Sequence, residues 1–187
     1  HNERLFSSNI DELLNHVGEA NRSKVMSMIL CKTKFGQDRN IAEVCQFVVE
    51  YALISYLANF ALKPEVIIAA GLSEMVAATA SGIFSVNQVI NLLELNNPFK
   101  SSVDVHSFVE MFDALEIGDS KFSCLSAIYG HWANEDYTSS QYWIDDFDQT
   151  IYLGTICPAL NIIEDMVFLN LGPCNSLDST MTRFCSK

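Results

Sequence analysis

The chain has 187 residues, of which 49% are hydrophobic and 18% are charged, so it can bury a core and is too apolar to be a disordered segment. Its formal net charge of −12 is concentrated in residues 101–187, which hold 3 basic and 13 acidic residues. An acidic surface repels nucleic acids and anionic membranes, so we expect neither as a partner. We expect a protein partner, and the charge favours a basic one.

Helices are predicted along the chain from capping residues and apolar periodicity. A first helix begins at residues 8–11 and runs to about Cys31, and residues 40–43 have the form of a capping box before a long apolar helix. Another helix begins at 101–104 and ends before Gly118. Further helices are expected at 120–132, 139–154, 158–171 and 178–184. Since no segment alternates apolar and polar residues as a half-buried strand does, we predict an all-α fold, a compact bundle of seven to nine helices.

The stretch at 63–84, KPEVIIAAGLSEMVAATASGIF, is almost uncharged and could be a membrane span or a core helix. Gly82 suits a helix end, and residues 85–88 form a capping box for the next helix. The first helix is then short for a bilayer, and Glu74 in its middle would be costly in lipid. We therefore predict a central core helix at 64–82 and no membrane span.

Two similar helical modules are predicted, at 1–98 and at 99–187, although they could also pack as a single domain. Residues 7–24 resemble residues 101–121, and shorter matches recur further along the chain at a similar offset. Such an internal repeat would make the second module an acidic copy of the first. Chance similarity between capped helices is the alternative.

The six cysteines are even in number and show no CxxC spacing, which favours disulfides over a zinc site. Six cysteines allow fifteen connectivities, and the sequential pairs Cys31–Cys45, Cys124–Cys157 and Cys174–Cys185 are one of them; the sequence does not decide the pairing. Asn21 lies in an Asn-Arg-Ser triplet and is a candidate glycosylation site. Both features predict a secreted, extracellular protein. Buried free thiols in a cytosolic protein are the alternative.

Recognisable catalytic and metal-binding motifs are missing from the sequence. There is no GxSxG pattern and no local signature around a cysteine. His131 and Glu135 are four residues apart, but two ligands do not make a metal site. We predict that the chain is not an enzyme, with no catalytic residues, no cofactor and no metal.

An aromatic-rich segment at 129–152 holds both tryptophans and four of the six tyrosines, beside several carboxylates. Aromatic side chains with polar tips next to carboxylates suit recognition of a basic protein, a sugar or a cationic ligand. A small hydrophobic core is the alternative. The predicted partner surface consists of Tyr129, Trp132, Tyr137, Tyr142, Trp143, Asp145, Asp146 and Asp148.

The order Cys124, then Tyr129 or Tyr152, then Cys157 resembles the cysteine–tyrosine–cysteine modules of the bicycle proteins, secreted effectors of aphids. The resemblance implies a salivary protein that acts on host tissue, with no catalytic residues to carry over. We therefore expect a secreted, non-enzymatic interaction protein or effector. A self-associating structural protein of the silk type and a carrier of an apolar ligand are the alternatives, and the oligomeric state is not predicted.

Overall fold

The computed structural model describes residues 2–32, 38–95, 104–145 and 167–171. Within these ranges the elements are, in chain order, α1 (Asn2–Leu14), α2 (Glu19–Ile29), α3 (Arg39–Ala58), β1 (Val66–Ala69), α4 (Leu72–Ser81), α5 (Val86–Leu95), α6 (Val105–Asp113), β2 (Ser123–Ser126), a 3₁₀ turn (Asp136–Thr138) and α7 (Ser140–Asp145). The fold is mostly helical and contains a small sheet, so it is α/β. The prediction of an all-α bundle is wrong.

The sheet consists of β1 and β2, which pair in parallel from Val66 opposite Ser123 to Ala69 opposite Ser126. Parallel strands need a long crossover, and here it contains α4, α5 and α6. The β-branched run at the start of β1 favours a strand over a helix. The predicted core helix at 64–82 is therefore wrong in its first part, because the helix begins only at Leu72.

The two strands come from opposite sides of residue 98, so both predicted modules contribute to one sheet. The internal repeat is wrong, because its two segments fold differently. Both segments contain a helix in their first half, α1 and α6, but residues 19–24 begin a second helix whereas residues 114–121 are not helical. The division into 1–98 and 99–187 stays a prediction.

Helix α3 lies at the centre of the packing and contacts α1, α2, α4 and α5. Its side chains Val44, Phe47 and Val48 are fully buried. In the described part of the chain, α3 is also the one helix whose length and composition would allow it to cross a membrane. Buried core helices share that property, and the prediction of no membrane span stays a prediction.

Several predicted helix ends are confirmed. Ser85 and Gln88 form a reciprocal capping box, with Ser85 N–H donating to Gln88 Oε1 at 2.7 Å and Gln88 N–H donating to Ser85 Oγ at 3.3 Å. Gly82 ends α4 in the left-handed conformation at φ 96°. The single helix predicted at 8–31 is instead the two helices α1 and α2.

The described cysteines are free thiols: Cys31 is exposed, while Cys45 and Cys124 are buried. The predicted Cys31–Cys45 disulfide is wrong, and no disulfide occurs among the cysteines that the structure describes. Buried cysteine behaves as a small apolar residue and needs no partner. The remaining three, Cys157, Cys174 and Cys185, lie outside the described residues.

Candidate functional site

A sharp turn joins β1 to α4, and we call residues 69–72 the elbow. Gly71 lies at its apex with φ 59° and ψ −130°, a conformation that residues with a side chain adopt only under strain. Apart from its two chain neighbours, no described residue lies within 4 Å of a Cβ atom added to Gly71, so in the described part of the chain the apex faces open space. In enzymes of the α/β-hydrolase type, such a strand-to-helix turn presents the catalytic nucleophile.

Backbone hydrogen bonds join the elbow to α4 on one side and to the chain after β2 on the other. Glu74 N–H donates to Gly71 O at 2.9 Å, which closes the first turn of α4. Ala127 N–H donates to Ala69 O at 2.7 Å, just beyond the end of β2. The turn is therefore held by α4 and by the chain that follows the second strand.

Behind the elbow, the fully buried side chain of Glu74 joins three elements. Its Oε1 accepts a hydrogen bond of 3.0 Å from Ser126 Oγ at the end of β2, and its Oε2 accepts one from the hydroxyl of Tyr142 on α7. Burial, and next the charge of Glu74, raise the pKa of Tyr137 well above its usual value. A buried carboxylate is costly unless donors surround it, and these hydroxyls supply them.

A second polar pair lies on the α3 side of the elbow. Ser73 Oγ donates to Glu50 Oε2 at 2.7 Å, and Gln46 Nε2 donates to Glu50 Oε1 at 2.8 Å. Burial raises the pKa of Glu50, while the two hydrogen bonds act in the opposite direction. The Ser73 hydroxyl is therefore engaged with α3.

Four of the five aromatic residues of the predicted partner surface form one cluster next to this network, and Trp132 is not part of it. The ring of Tyr142 lies 5.3 Å from those of Tyr129 and Trp143 and 5.5 Å from that of Tyr137. Trp143 Nε1–H also donates to Tyr137 O at 3.0 Å. The cluster contacts Glu74 through the hydrogen bond from the Tyr142 hydroxyl, and Glu74 lies in the first turn of α4 next to the elbow.

Two of the eight residues of the predicted partner surface do not face solvent. Tyr137 and Trp143 have no exposed surface, Tyr129 and Tyr142 are half-buried, and Trp132 is 42% exposed. The side chain of Asp145 and the residues Asp146 and Asp148 lie outside what the structure describes. That these residues bind a partner stays a prediction, as do a basic partner and secretion.

Other reactive side chains are engaged elsewhere. His131 Nε2 lies 2.7 Å from Asp136 Oδ2 rather than beside Glu135, and His106 pairs with Glu110 on the outer side of α6. Burial raises the pKa of Cys124 to about 11, so it stays a thiol at neutral pH. Asn21, the candidate glycosylation site, donates to Glu94 Oε1 at 2.8 Å, and its modification stays a prediction. No group of potential metal ligands occurs among the described residues.

Sequence reasoning missed Gly71 as the apex of a strand-to-helix turn and saw Glu74 only as a polar residue on an apolar helix. The available signal was weak: a short β-branched run at 66–68 is followed by two alanines and then by glycine, which can end a strand in a turn.

Comparison with known proteins identifies the fold. No family model and no curated protein matches the sequence. The acyl transferase domain of SpnD, solved in complex with 2-(pent-4-yn-1-yl)malonyl, superposes with a TM-score of 0.71 at 16% identity over 95% of this chain. The acyl transferase domain of ZmaA gives a TM-score of 0.73 at 17% identity over 96% of this chain. The chain spans about 61% of the length of each.

This likeness corrects three expectations. The resemblance to bicycle proteins is wrong, since the fold is that of a different class of protein. The predicted function as a secreted non-enzymatic effector, with its structural and carrier alternatives, is overturned for the same reason. The prediction that the chain is not an enzyme is also wrong as a statement about the fold, because the two domains that share this fold are acyl transferase domains. The chain has the fold of acyl transferase domains.

Proposed function

We propose that this chain is an acyltransferase-type domain that takes up an acyl group, presented as a thioester, at the elbow. One observation carries the proposal: a strand–turn–helix elbow opens into free space at Gly71 in a chain with the fold of acyl transferase domains. Transfer requires the reacting carbonyl to be held in a fixed geometry on a rigid support. The hydrogen bonds around Glu74 supply that rigidity.

The comparison suggests which acyl group to test first. The SpnD domain was solved with a malonyl derivative, so a malonyl thioester is the first probe. This chain covers only 61% of the length of the SpnD domain. Transfer of the acyl group to an acceptor is therefore part of the proposal and does not follow from the shared fold.

Isothermal titration calorimetry of the full chain with malonyl-coenzyme A, acetyl-coenzyme A and free coenzyme A tests the proposal. We expect one acyl thioester to bind at a single site with a dissociation constant on the order of 10 μM, within the usual range for enzyme substrates. Free coenzyme A should bind at least about tenfold more weakly, because the acyl group supplies the contact at the elbow. A folded chain that binds neither thioester would overturn the proposal.

Two variants at one position separate the elbow from the rest of the surface. Gly71→Phe fills the open space, whereas Gly71→Ala shares its backbone strain but adds only a methyl group. We expect Gly71→Phe to weaken thioester binding at least tenfold and Gly71→Ala to change it less than threefold. Equal affinities of the two variants would place the thioester elsewhere.

A further inference from the structure

We infer that Gly71 occupies the position of a covalent nucleophile, so that this elbow holds its acyl group without forming an acyl–enzyme bond. The inference rests on the proposed function and adds the chemical form in which the acyl group is held. It also implies that a nucleophile placed at position 71 would be acylated.

The direction of the missing side chain supports this assignment. A Cβ atom built on Gly71 lies more than 4 Å from every described atom of β1, α4 and the other elements, its two chain neighbours excepted. A nucleophile must reach the ligand in the same way, exposed at the tip of a tight turn.

Close packing is not the reason for glycine at this position. Gly118 provides the contrast, because a Cβ added there would lie 2.3 Å from Gly82 O. Gly71 has the open surroundings of a site for a ligand, whereas Gly118 has the crowded surroundings of a structural contact.

Among the described residues, three nucleophilic side chains near the elbow are engaged or buried within the protein. Ser73 Oγ donates to Glu50, and Ser126 Oγ donates to Glu74. Cys124 is fully buried and has a raised pKa, so it supplies no thiolate at neutral pH. None of these three groups substitutes for a side chain at the apex.

Restoring a nucleophile tests the assignment, and Gly71→Cys is the suitable variant because a thiol reacts with thioesters without a dedicated base. The introduced thiolate attacks the thioester carbonyl, and the carbonyl carbon then loses its bond to the coenzyme sulfur. The coenzyme leaves as a thiolate and takes up the proton that the cysteine lost. Atoms and charge balance without an oxidant or reductant.

The experiment incubates the wild-type chain, Gly71→Cys and Gly71→Ala with malonyl-coenzyme A and locates the acyl group by intact-protein and peptide mass spectrometry. Exposed Cys31 is an internal control, because it reports collisional acylation in every sample. We expect position 71 of Gly71→Cys to be acylated at least tenfold faster than Cys31. The wild-type chain and Gly71→Ala should carry no acyl group on residues 66–75.

Each other outcome overturns a distinct statement. An acyl group on Ser73 or on an elbow residue of the wild-type chain would contradict non-covalent binding, and this arm does not depend on any variant folding. A folded Gly71→Cys that binds the thioester but reacts no faster than Cys31 would contradict the nucleophile position. Both results leave the proposed function standing. Absence of thioester binding in the wild-type chain would instead remove the proposed function.

Discussion

The hydroxyl of Ser126 donates a hydrogen bond of 3.0 Å to the carboxylate of Glu74, although 52 residues separate them in the chain. The bond joins the end of β2 to the first turn of α4, directly behind Gly71. The first turn of α4 is thereby linked to the strand pair, because Ser126 is the last residue of β2.

Glu74→Ala should destabilise the chain, because the hydroxyls of Ser126 and Tyr142 lose their buried acceptor and a cavity is left. We expect the free energy of unfolding to fall by about 3 kcal/mol. Urea unfolding followed by circular dichroism measures it. Exposed Glu65 is the matched control, and Glu65→Ala should change stability by less than about 0.5 kcal/mol. Equal effects of the two variants would show that the buried network contributes nothing.

The two tryptophans should differ sharply in their contribution to stability. Trp143 is fully buried among aromatic rings, so Trp143→Ala should cost about 3–5 kcal/mol. Trp132 is 42% exposed, so Trp132→Ala should cost about 1 kcal/mol or less. Thermal unfolding of both variants checks the order. A larger loss for Trp132→Ala would contradict the placement of the aromatic cluster.

Gly118→Ala should destabilise the contact between the loop after α6 and the end of α4. The added methyl group would lie 2.3 Å from Gly82 O, and the hydrogen bond from Gly118 N–H to Ile83 O fixes the two segments at this distance. We expect a loss of about 2 kcal/mol in the free energy of unfolding, typical of overpacking. A variant as stable as the wild-type chain in urea would mean that the segments do not approach so closely.

Cysteine reactivity should follow burial. Exposed Cys31 should react with iodoacetamide at pH 8 on the order of a hundredfold faster than Cys45 or Cys124, which are buried and have pKa values raised to about 11. Peptide mapping separates the three sites. Rapid alkylation of Cys124 in the native chain would contradict its place in the sheet, and a disulfide between Cys31 and Cys45 would restore the prediction made from their spacing.

Stability should fall as the pH rises above about 9. Burial raises the pKa of Cys45 and Cys124 from 9.0 to about 11, so between these values the unfolded chain loses protons that the folded chain keeps. The stability that these two thiols contribute is therefore fully present below pH 9 and is lost progressively towards pH 11. Cys124→Ala should flatten the decline measured by urea unfolding, and an unchanged slope would contradict this origin.

Helix ends could be predicted from the sequence because they depend on local chemistry. The capping box at Ser85 and Gln88 needs only neighbouring residues, and so does the left-handed end at Gly82. The strand at Val66 could not be predicted in the same way, because its partner Ser123 lies far along the chain. An apolar run of four residues fits either a buried strand or the start of a helix.

The candidate site was hidden from the sequence for a related reason. The elbow is defined by the φ and ψ angles of Gly71 and by the absence of described neighbours around it, and a short sequence motif encodes neither. Four of the five predicted aromatic residues lie together in space and Trp132 does not, because whether a ring such as that of Trp143 faces solvent or Phe84 depends on tertiary packing.

The most direct test is the dependence of the acylation rate at position 71 of Gly71→Cys on the concentration of malonyl-coenzyme A. We expect the rate to saturate, because the thioester is bound before it reacts, and free coenzyme A to compete only weakly. A rate that rises linearly with concentration and matches that of Cys31 throughout would show that position 71 does not meet a bound thioester.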